Sequence, residues 1–356
     1  MRKYYTRACN FYHGRVAEKL VRSKKALPLN GNKRLAFDNI EIFIRDRRKI
    51  KSTLIHFKNI NKLSKNAKKT INKDLKKIIS KRKNFLKHVN FSTPSIMGVL
   101  NLTPDSFSDG GKFNKKSKSF KHISNMIQFG ADIIDVGGES TRPGSDPVDP
   151  KTELRRLKPI LKEIRNLNLK CIWSVDTRKS LVMERAIKFG VTFINDISAL
   201  SYDKDSVKLL AKHNALICLM HGGENPKTMQ HEAHYDNVLL DVYDFLDERV
   251  KYAEKLGIKK SNIIVDPGIG FKKTMAQNLI LIKNASLFHS LGCPVLFGVS
   301  RKGFLGHLTN VKEPDKRVVG SVAAALDLIG QGVHVVRVHD VEETKQAVAI
   351  WKAINV

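Results

Sequence analysis

Asn101, Asp135, Asp176, Asn195 with Asp196, His221, Asp266, and Arg337 with His339 stand at or near the ends of short apolar runs, and an eighth run ends in Ser300-Arg301-Lys302. They are spread over more than two hundred residues, so only the fold can bring them together. Asp176, Asn195 and Asp266 would offer two carboxylates and an amide. A carboxylate that accepts two parallel N–H donors makes a strong, directional contact, and a flat heterocycle with an amino group beside a ring N–H matches that geometry. Asn101, Arg337 and His339 form a second set. A guanidinium and an imidazole beside an amide suit a phosphate or diphosphate, with room for Mg²⁺ on its oxygens. Lys302 is a mobile cation able to reach between the two sets.

Positioning these groups falls to eight predicted strands: Ile96–Leu102, Ile133–Gly137, Cys171–Asp176, Phe193–Ile197, Leu216–His221, Ile263–Asp266, Val295–Ser300 and Val335–His339. A helix-like stretch follows each, at about 116–129, 150–166, 178–189, 204–213, 235–256, 276–290, 314–329 and 341–354. Eight strand–helix units predict an α/β fold, a (β/α)₈ TIM barrel over 95–356. A doubly wound sheet is the alternative; even spacing and the lack of a GxGxxG turn after the first strand argue against it. In a barrel every strand's C-terminal end opens on one mouth. Two glycine-bearing loops, 109–111 and 137–145, look able to close over that mouth.

The chain has 356 residues, 42% of them hydrophobic, and a formal charge of +30. The charge is uneven: residues 1–94 hold 27 Lys and Arg against 5 Asp and Glu, the remainder 37 against 29. Residues 1–94 are therefore expected to form a separate basic extension. Ile40 to Ile44 reads as a short strand. Residues 49–90, with Leu63, Ala67, Ile71, Leu75, Ile78 and Ile79 at helical spacing, read as one cationic amphipathic helix. Aromatic interleaving and a nucleic-acid-binding motif are both missing, so a solvated basic face is preferred over nucleic-acid or membrane contact. No apolar run is long enough to cross a bilayer, and the first residues lack a secretory apolar stretch. Cys9, Cys171, Cys218 and Cys293 form no CxxC pair. A cytoplasmic protein is expected.

The motifs, in this order, resemble the dihydropteroate synthases of folate biosynthesis, a family inhibited by sulfonamides. The matching stretches are 97–111 (MGVLNLTPDSFSDGG), 135–144 (DVGGESTRPG), 174–177 (SVDT), 194–196 (IND), 219–221 (LMH), 266–271 (DPGIGF), 298–302 (GVSRK) and 337–340 (RVHD). The resemblance covers about 95–356. It implies a transferase that condenses 6-hydroxymethyl-7,8-dihydropterin diphosphate with 4-aminobenzoate, giving 7,8-dihydropteroate and diphosphate. It implies that Asp176, Asn195, Asp266 and Lys302 hold the pterin, with Met220 and Phe271 lining its pocket. Asn101, Arg337 and His339 would hold the diphosphate, and Asn101 would also ligate Mg²⁺. Lys302, Arg337, His339 and Asn101 would carry the catalysis. Phe107, Thr141, Arg142, Pro143 and Ser300 would shape the aminobenzoate site. A homodimer is implied too. Two departures fall beside the pterin region: Lys272 where the family usually has Gly, and Gly222-Gly223-Glu224 in place of Met-Gln-Gly. The alternatives are a methyltetrahydrofolate-dependent methyltransferase and a non-catalytic pterin-binding module acting through its basic leader.

Overall fold

The structure, a computed structural model, describes residues 2–82, 91, 93–103, 112–140, 144–164, 171–223 and 234–355, with the side chains of 112–116 left out. Eight parallel strands follow one another around a ring: β5 (Ser95–Asn101), β6 (Ile133–Gly137), β7 (Ile172–Asp176), β8 (Phe193–Asp196), β9 (Leu216–Met220), β10 (Ile263–Asp266), β11 (Leu296–Phe297) and β12 (Val335–Val338). β12 pairs with both β5 and β11. Between β10 and β11 the ring closes through one bridge, Val265 to Val295, where Val265 N–H donates to Pro294 O at 3.0 Å. The eight-stranded barrel is thus present, and the doubly wound sheet is excluded by the closure.

Alternation along each strand explains why this sequence closes this way. Side chains two apart face the same side. Met97, Ile133, Ile172, Phe193, Leu216, Ile264, Leu296 and Val335, one from each strand, form an apolar plug inside the barrel. The residues between them face outward and pack on the surrounding helices in the largest core cluster, which includes Ile134, Trp173, Ile194, Ile217, Val265, Phe297 and Val336. Those helices are α3 (Lys112–Gln128), α4 (Pro150–Leu161), α5 (Ser180–Lys188), α6 (Asp205–His213), α7 (Val238–Lys255), α8 (Met275–Lys283), α9 (Gly303–Thr309), α10 (Val318–Gly330) and α11 (Val341–Asn355). Two elements differ from expectation. The stretch 276–290 is α8 followed by a separate 3₁₀ turn, Ala285–Leu291, and the seventh strand stops after two residues because Gly298 and the following polar residues leave the ladder.

The basic N-terminal residues form a folded α+β unit, with more strand than the one short stretch expected at 40–44. β1 (Lys3–His13) is followed by α1 (Gly14–Arg22), β2 (Leu27–Leu29), β3 (Asn32–Asp46), β4 (Lys49–His56) and α2 (Lys65–Ile79). β3 pairs antiparallel with β1 along one edge, and with β2 and β4 along the other. The expected long helix over 49–90 is therefore corrected: its first residues form β4, which pairs with β3 from Lys49 to His56, and among the described residues the helix occupies 65–79. Its apolar face was placed correctly. Ala67, Ile71, Leu75 and Ile78 are buried against Ala8, Phe37, Ile40 and Ile42.

This unit sits against the floor of the barrel and the side of α7. Arg45 pairs with Asp241 at 2.6 Å, Tyr5 Oη donates to Asp244 at 2.9 Å, and Ser286 Oγ donates to Ala8 O at 2.8 Å. Buried Arg82 donates to His289 O at 2.9 Å, and Leu29 packs over Gly332. Among the described residues no helix is long and apolar enough to cross a membrane. Ile71→Ala should cost about 3 kcal/mol of stability in urea unfolding, as a cavity in a closed core does. A change near zero would mean that α2 is not packed in a core of its own.

Candidate active site

The alternation that builds the plug also builds the site. Two residues above the plug, toward the C-terminal ends, stand Asp135, Ser174, Asn195, Cys218, Asp266, Gly298 and Arg337; two further on stand Asn101, Gly137, Asp176, Met220, Ser300 and His339. Asp176, Asn195, Ile197, Met220, Asp266, Ile269, Phe271, Gly298, Lys302 and Arg337 line one cleft. The structure thus brings all six expected pterin residues together with Arg337.

Arg337 is the hub. Its Nε donates to Asp135 Oδ2 at 2.7 Å and its Nη2 to Asp176 Oδ2 at 3.0 Å, while Asn195 Nδ2 donates to Asp135 Oδ2 at 3.1 Å. The sequence-based grouping of Arg337 with Asn101 and His339, apart from the carboxylates, is therefore incomplete: the guanidinium joins both sets. Asp135 received no role from its sequence. Counting two residues on from the plug residue Ile133 would have placed it inside, level with Arg337 and Asp266. Among the described residues no donor reaches the buried Oδ1 atoms of Asp135, Asp176 and Asn195. Each is an acceptor whose desolvation is uncompensated within the chain, a cost of about 1–3 kcal/mol apiece. A ligand rich in N–H donors is the complement of such a site.

Burial pushes the Asp266 carboxyl up to about 6, against Gly268 N–H, which donates to its Oδ1 at 2.8 Å. Burial also pushes Asp176 up, opposed by Arg337 and assisted by nearby Asp135. Burial and the charge of Arg337 bring Lys302 down to about 8, opposed by Asp266 and Asp176. The Lys302 ammonium lies 4.4 Å from the centre of the Phe271 ring, a cation–π contact in a desolvated place. Phe271 also packs with Met220 and Ile197 as an apolar wall.

That wall is held by a residue the sequence did not reveal. Lys273, 5% exposed, donates to Phe271 O at 2.7 Å, Gly268 O at 2.9 Å and His221 O at 3.1 Å, and lies 2.9 Å from His221 Nδ1. It ties the loop after β10 to the end of β9. His221 is therefore engaged beneath the wall. Ser300 Oγ accepts from His339 N–H at 3.1 Å and is in hydrogen-bond contact with His339 Nδ1, also at 3.1 Å, so this serine orients the imidazole. The two departures fit each other. Lys272 takes a left-handed backbone (φ 51°), and its Cε comes within 2.4 Å of where a Cβ at Gly223 would stand.

Asn101 ends β5 with its Oδ1 facing Gly137; a Cβ there would lie 3.5 Å from that oxygen and 3.7 Å from Asp176 Cβ. Among the described residues no group of three or more His, Cys, Asp or Glu could cage a metal ion. A single amide oxygen beside an anion site still fits Mg²⁺, which keeps several waters and takes substrate phosphate oxygens around one or two protein ligands. Phe107, Thr141, Arg142 and Pro143 lie outside the described residues. The neck of the loop carrying the last three is described. Glu139 accepts from Val148 N–H at 3.0 Å and Lys179 Nζ at 2.9 Å, and Ser145 Oγ donates to Ser140 O at 2.6 Å.

Comparison with known proteins agrees with this geometry. Residues 97–339 match the family described as pterin binding enzyme. A dihydropteroate synthase of Haemophilus influenzae is 42% identical over 267 residues, 75% of this chain and 96% of that one. Among solved structures, the Xanthomonas albilineans dihydropteroate synthase with 4-aminobenzoic acid aligns with a TM-score of 0.70 at 40% identity, covering 74% of this chain and 94% of that chain. The same enzyme in complex with 7,8-dihydropteroate gives a TM-score of 0.68 at 36% identity, over 75% and 95%. The N-terminal α+β unit lies outside the family match. Lys273→Met should lower stability by about 3 kcal/mol in urea unfolding, because it removes the donor that Phe271 O, Gly268 O and His221 O share. A loss under about 0.5 kcal/mol would show that the lysine does not hold the wall.

Proposed function

We propose, for a chain that belongs to the pterin binding enzyme family and within it to the dihydropteroate synthases, a division of labour among the residues of the cleft. The reaction condenses 6-hydroxymethyl-7,8-dihydropterin diphosphate with 4-aminobenzoate, giving 7,8-dihydropteroate and diphosphate. The observation that carries the assignment is the convergence of Asp176, Asn195, Asp266, Lys302 and Arg337 on one cleft walled by Met220 and Phe271.

Asp176, Asn195 and Asp266 accept the N–H groups of the pterin, whose flat ring slides between Met220 and Phe271. Buried acceptors left open by the protein are satisfied by the substrate, and a ring lacking those donors is rejected by the same cost. Lys302 donates to the pterin from its place over Phe271. Arg337, with two of its nitrogens fixed on Asp135 and Asp176, turns its remaining one, Nη1, to the diphosphate beside His339 and Asn101. Asn101 would hold Mg²⁺, which when bound would neutralise charge building on the departing diphosphate. The C–O bond breaks ahead of attack, the arylamine nitrogen forms the new C–N bond with the pterin methylene, and its proton leaves with diphosphate or to solvent. No nucleophilic side chain is required; the site works by holding the leaving group and excluding water. Phe107, Thr141, Arg142, Pro143 and Ser300 shape the place of the 4-aminobenzoate, Ser300 through its grip on His339.

The proposal extends to a homodimer and a cytoplasmic location. Outward-facing apolar residues gather on two adjacent helices, Val319 (84% exposed) on α10, and Ile350 (64%) and Ile354 (77%) on α11. A second copy would cover them. Cys9, Cys171, Cys218 and Cys293 are free, in keeping with a reducing compartment.

Diphosphate release from the pterin substrate should depend on 4-aminobenzoate, which separates this enzyme from both a methyltransferase and a silent pterin-binding module. Asp266 must be ionised and Lys302 protonated to bind the pterin. The value of kcat/KM should therefore fall below about pH 6 and above about pH 8, and Lys302→Arg should move only the alkaline limb upward. A flat profile across this range would refute both roles. Val319→Glu with Ile354→Glu should halve the mass seen by sedimentation; an unchanged mass would place the interface elsewhere.

A further inference from the structure

β11 is the shortest strand of the barrel and leaves the ladder at Phe297, yet Ser300 and Lys302 lie three and five residues beyond it. Something other than strand pairing has to fix them. Side chains from three elements do so. Arg301 N–H donates to Ser321 Oγ of α10 at 2.8 Å, and Arg317 Nη1 donates to Arg301 O at 3.1 Å. Ser300 Oγ accepts the His339 N–H. The strongest tie is the Arg301 guanidinium, whose Nε lies 3.1 Å from Asp340 Oδ2 and whose Nη2 meets Oδ1 of the same carboxylate in a bidentate pair. Asp340 is 7% exposed and directly follows His339. Arg301 itself holds a left-handed backbone (φ 58°), a conformation costly for a side chain of this size and retained only where its surroundings over-determine it.

We infer that the Arg301–Asp340 pair is a positioning device for the reaction: it clamps the end of the seventh strand to the end of the eighth, setting Lys302 over Phe271 and His339 beside Arg337 with one bidentate contact. Neither residue touches the pterin in this scheme. The pair acts through its neighbours, Lys302 on one side and His339 on the other, and so couples the pterin and diphosphate halves of the site. The inference rests on the roles proposed for those two neighbours. A planar guanidinium is needed, because an ammonium makes one such bond at a time.

The experiment is steady-state kinetics on the full-length protein with both substrates, with calorimetric binding of the pterin diphosphate and with activity expressed per folded molecule. Arg301→Met and Asp340→Asn should each lower kcat/KM for the pterin diphosphate by about 100-fold, the size of effect a small misplacement of reacting groups produces. The KM for 4-aminobenzoate, whose place Ser300 shapes beside the same clamp, should rise by less than the KM for the pterin diphosphate, a split that a general loss of stability does not produce. The double variant should be no worse than the poorer single, since either change opens the same clamp. Arg301→Lys should recover little, whereas Asp340→Glu should recover a measurable part. Singles near wild type, losses that multiply in the double variant, or equal rises in both KM values would overturn the inference. If the Met and Asn variants do not fold, the Lys and Glu variants carry the same comparison. Lys302→Met separates the two levels: pterin affinity kept in that variant defeats the site reading, whereas affinity lost there and kept in Arg301→Met defeats only the clamp.

Discussion

A guanidinium held between two buried carboxylates is the contact on which the mouth of this barrel is built. Asp135 and Asp176 come from neighbouring strands, and Arg337 reaches them from across the mouth, bonding one through Nε and the other through Nη2. Their mutual repulsion and desolvation are offset only while that guanidinium stays in place. The strands β12, β5, β6 and β7 are consecutive in the ring, and its curvature turns Arg337, Asp135 and Asp176 toward one another across the interior.

The lower half of the barrel supplies the rigidity that such a site needs. One apolar residue from every strand fills its interior beneath the polar layer. Above it the polar groups are desolvated but not fully paired, so the upper barrel keeps acceptors open at some cost in stability. The apolar plug and helical shell carry that cost. Around the rim, side chains do what the strands no longer can. Lys273 ties two carbonyls after β10 to one at the end of β9, Glu139 draws in the neck of the loop after β6, and Arg301 anchors the end of β11.

The N-terminal unit belongs to the other end of the barrel. Its lysines and arginines read as a solvated basic leader, and many do face solvent, but several cations are structural. Arg45 is aimed at Asp241 and Asp244 of α7, Arg7 at Glu41, and Arg82 is buried against His289 O. Its apolar residues form a separate core from Ala8 to Ile78. The floor it covers includes His289, whose burial beside Arg82 brings it down to about 3, so that it stays neutral at the junction.

The strands, their order and the residues that line the cleft were legible in the sequence, because short apolar runs ending in Asn, Asp, Arg or His are set by local chemistry and by the two-residue alternation of a strand. Ile71 and Leu75 were readable as a helix face for the same reason, since a spacing of 3.6 residues is a local property. Residues 49–56 were misread because a basic segment with scattered apolar residues satisfies helix and strand alike, and pairing with β3 decided between them. The sequence could not show that Arg337 bonds both Asp135 and Asp176, that Ser300 turns to His339, or that Lys273 ties the loop of the wall to the end of β9. Each depends on contact between residues of different strands or loops, and such distances exist only once the barrel has closed.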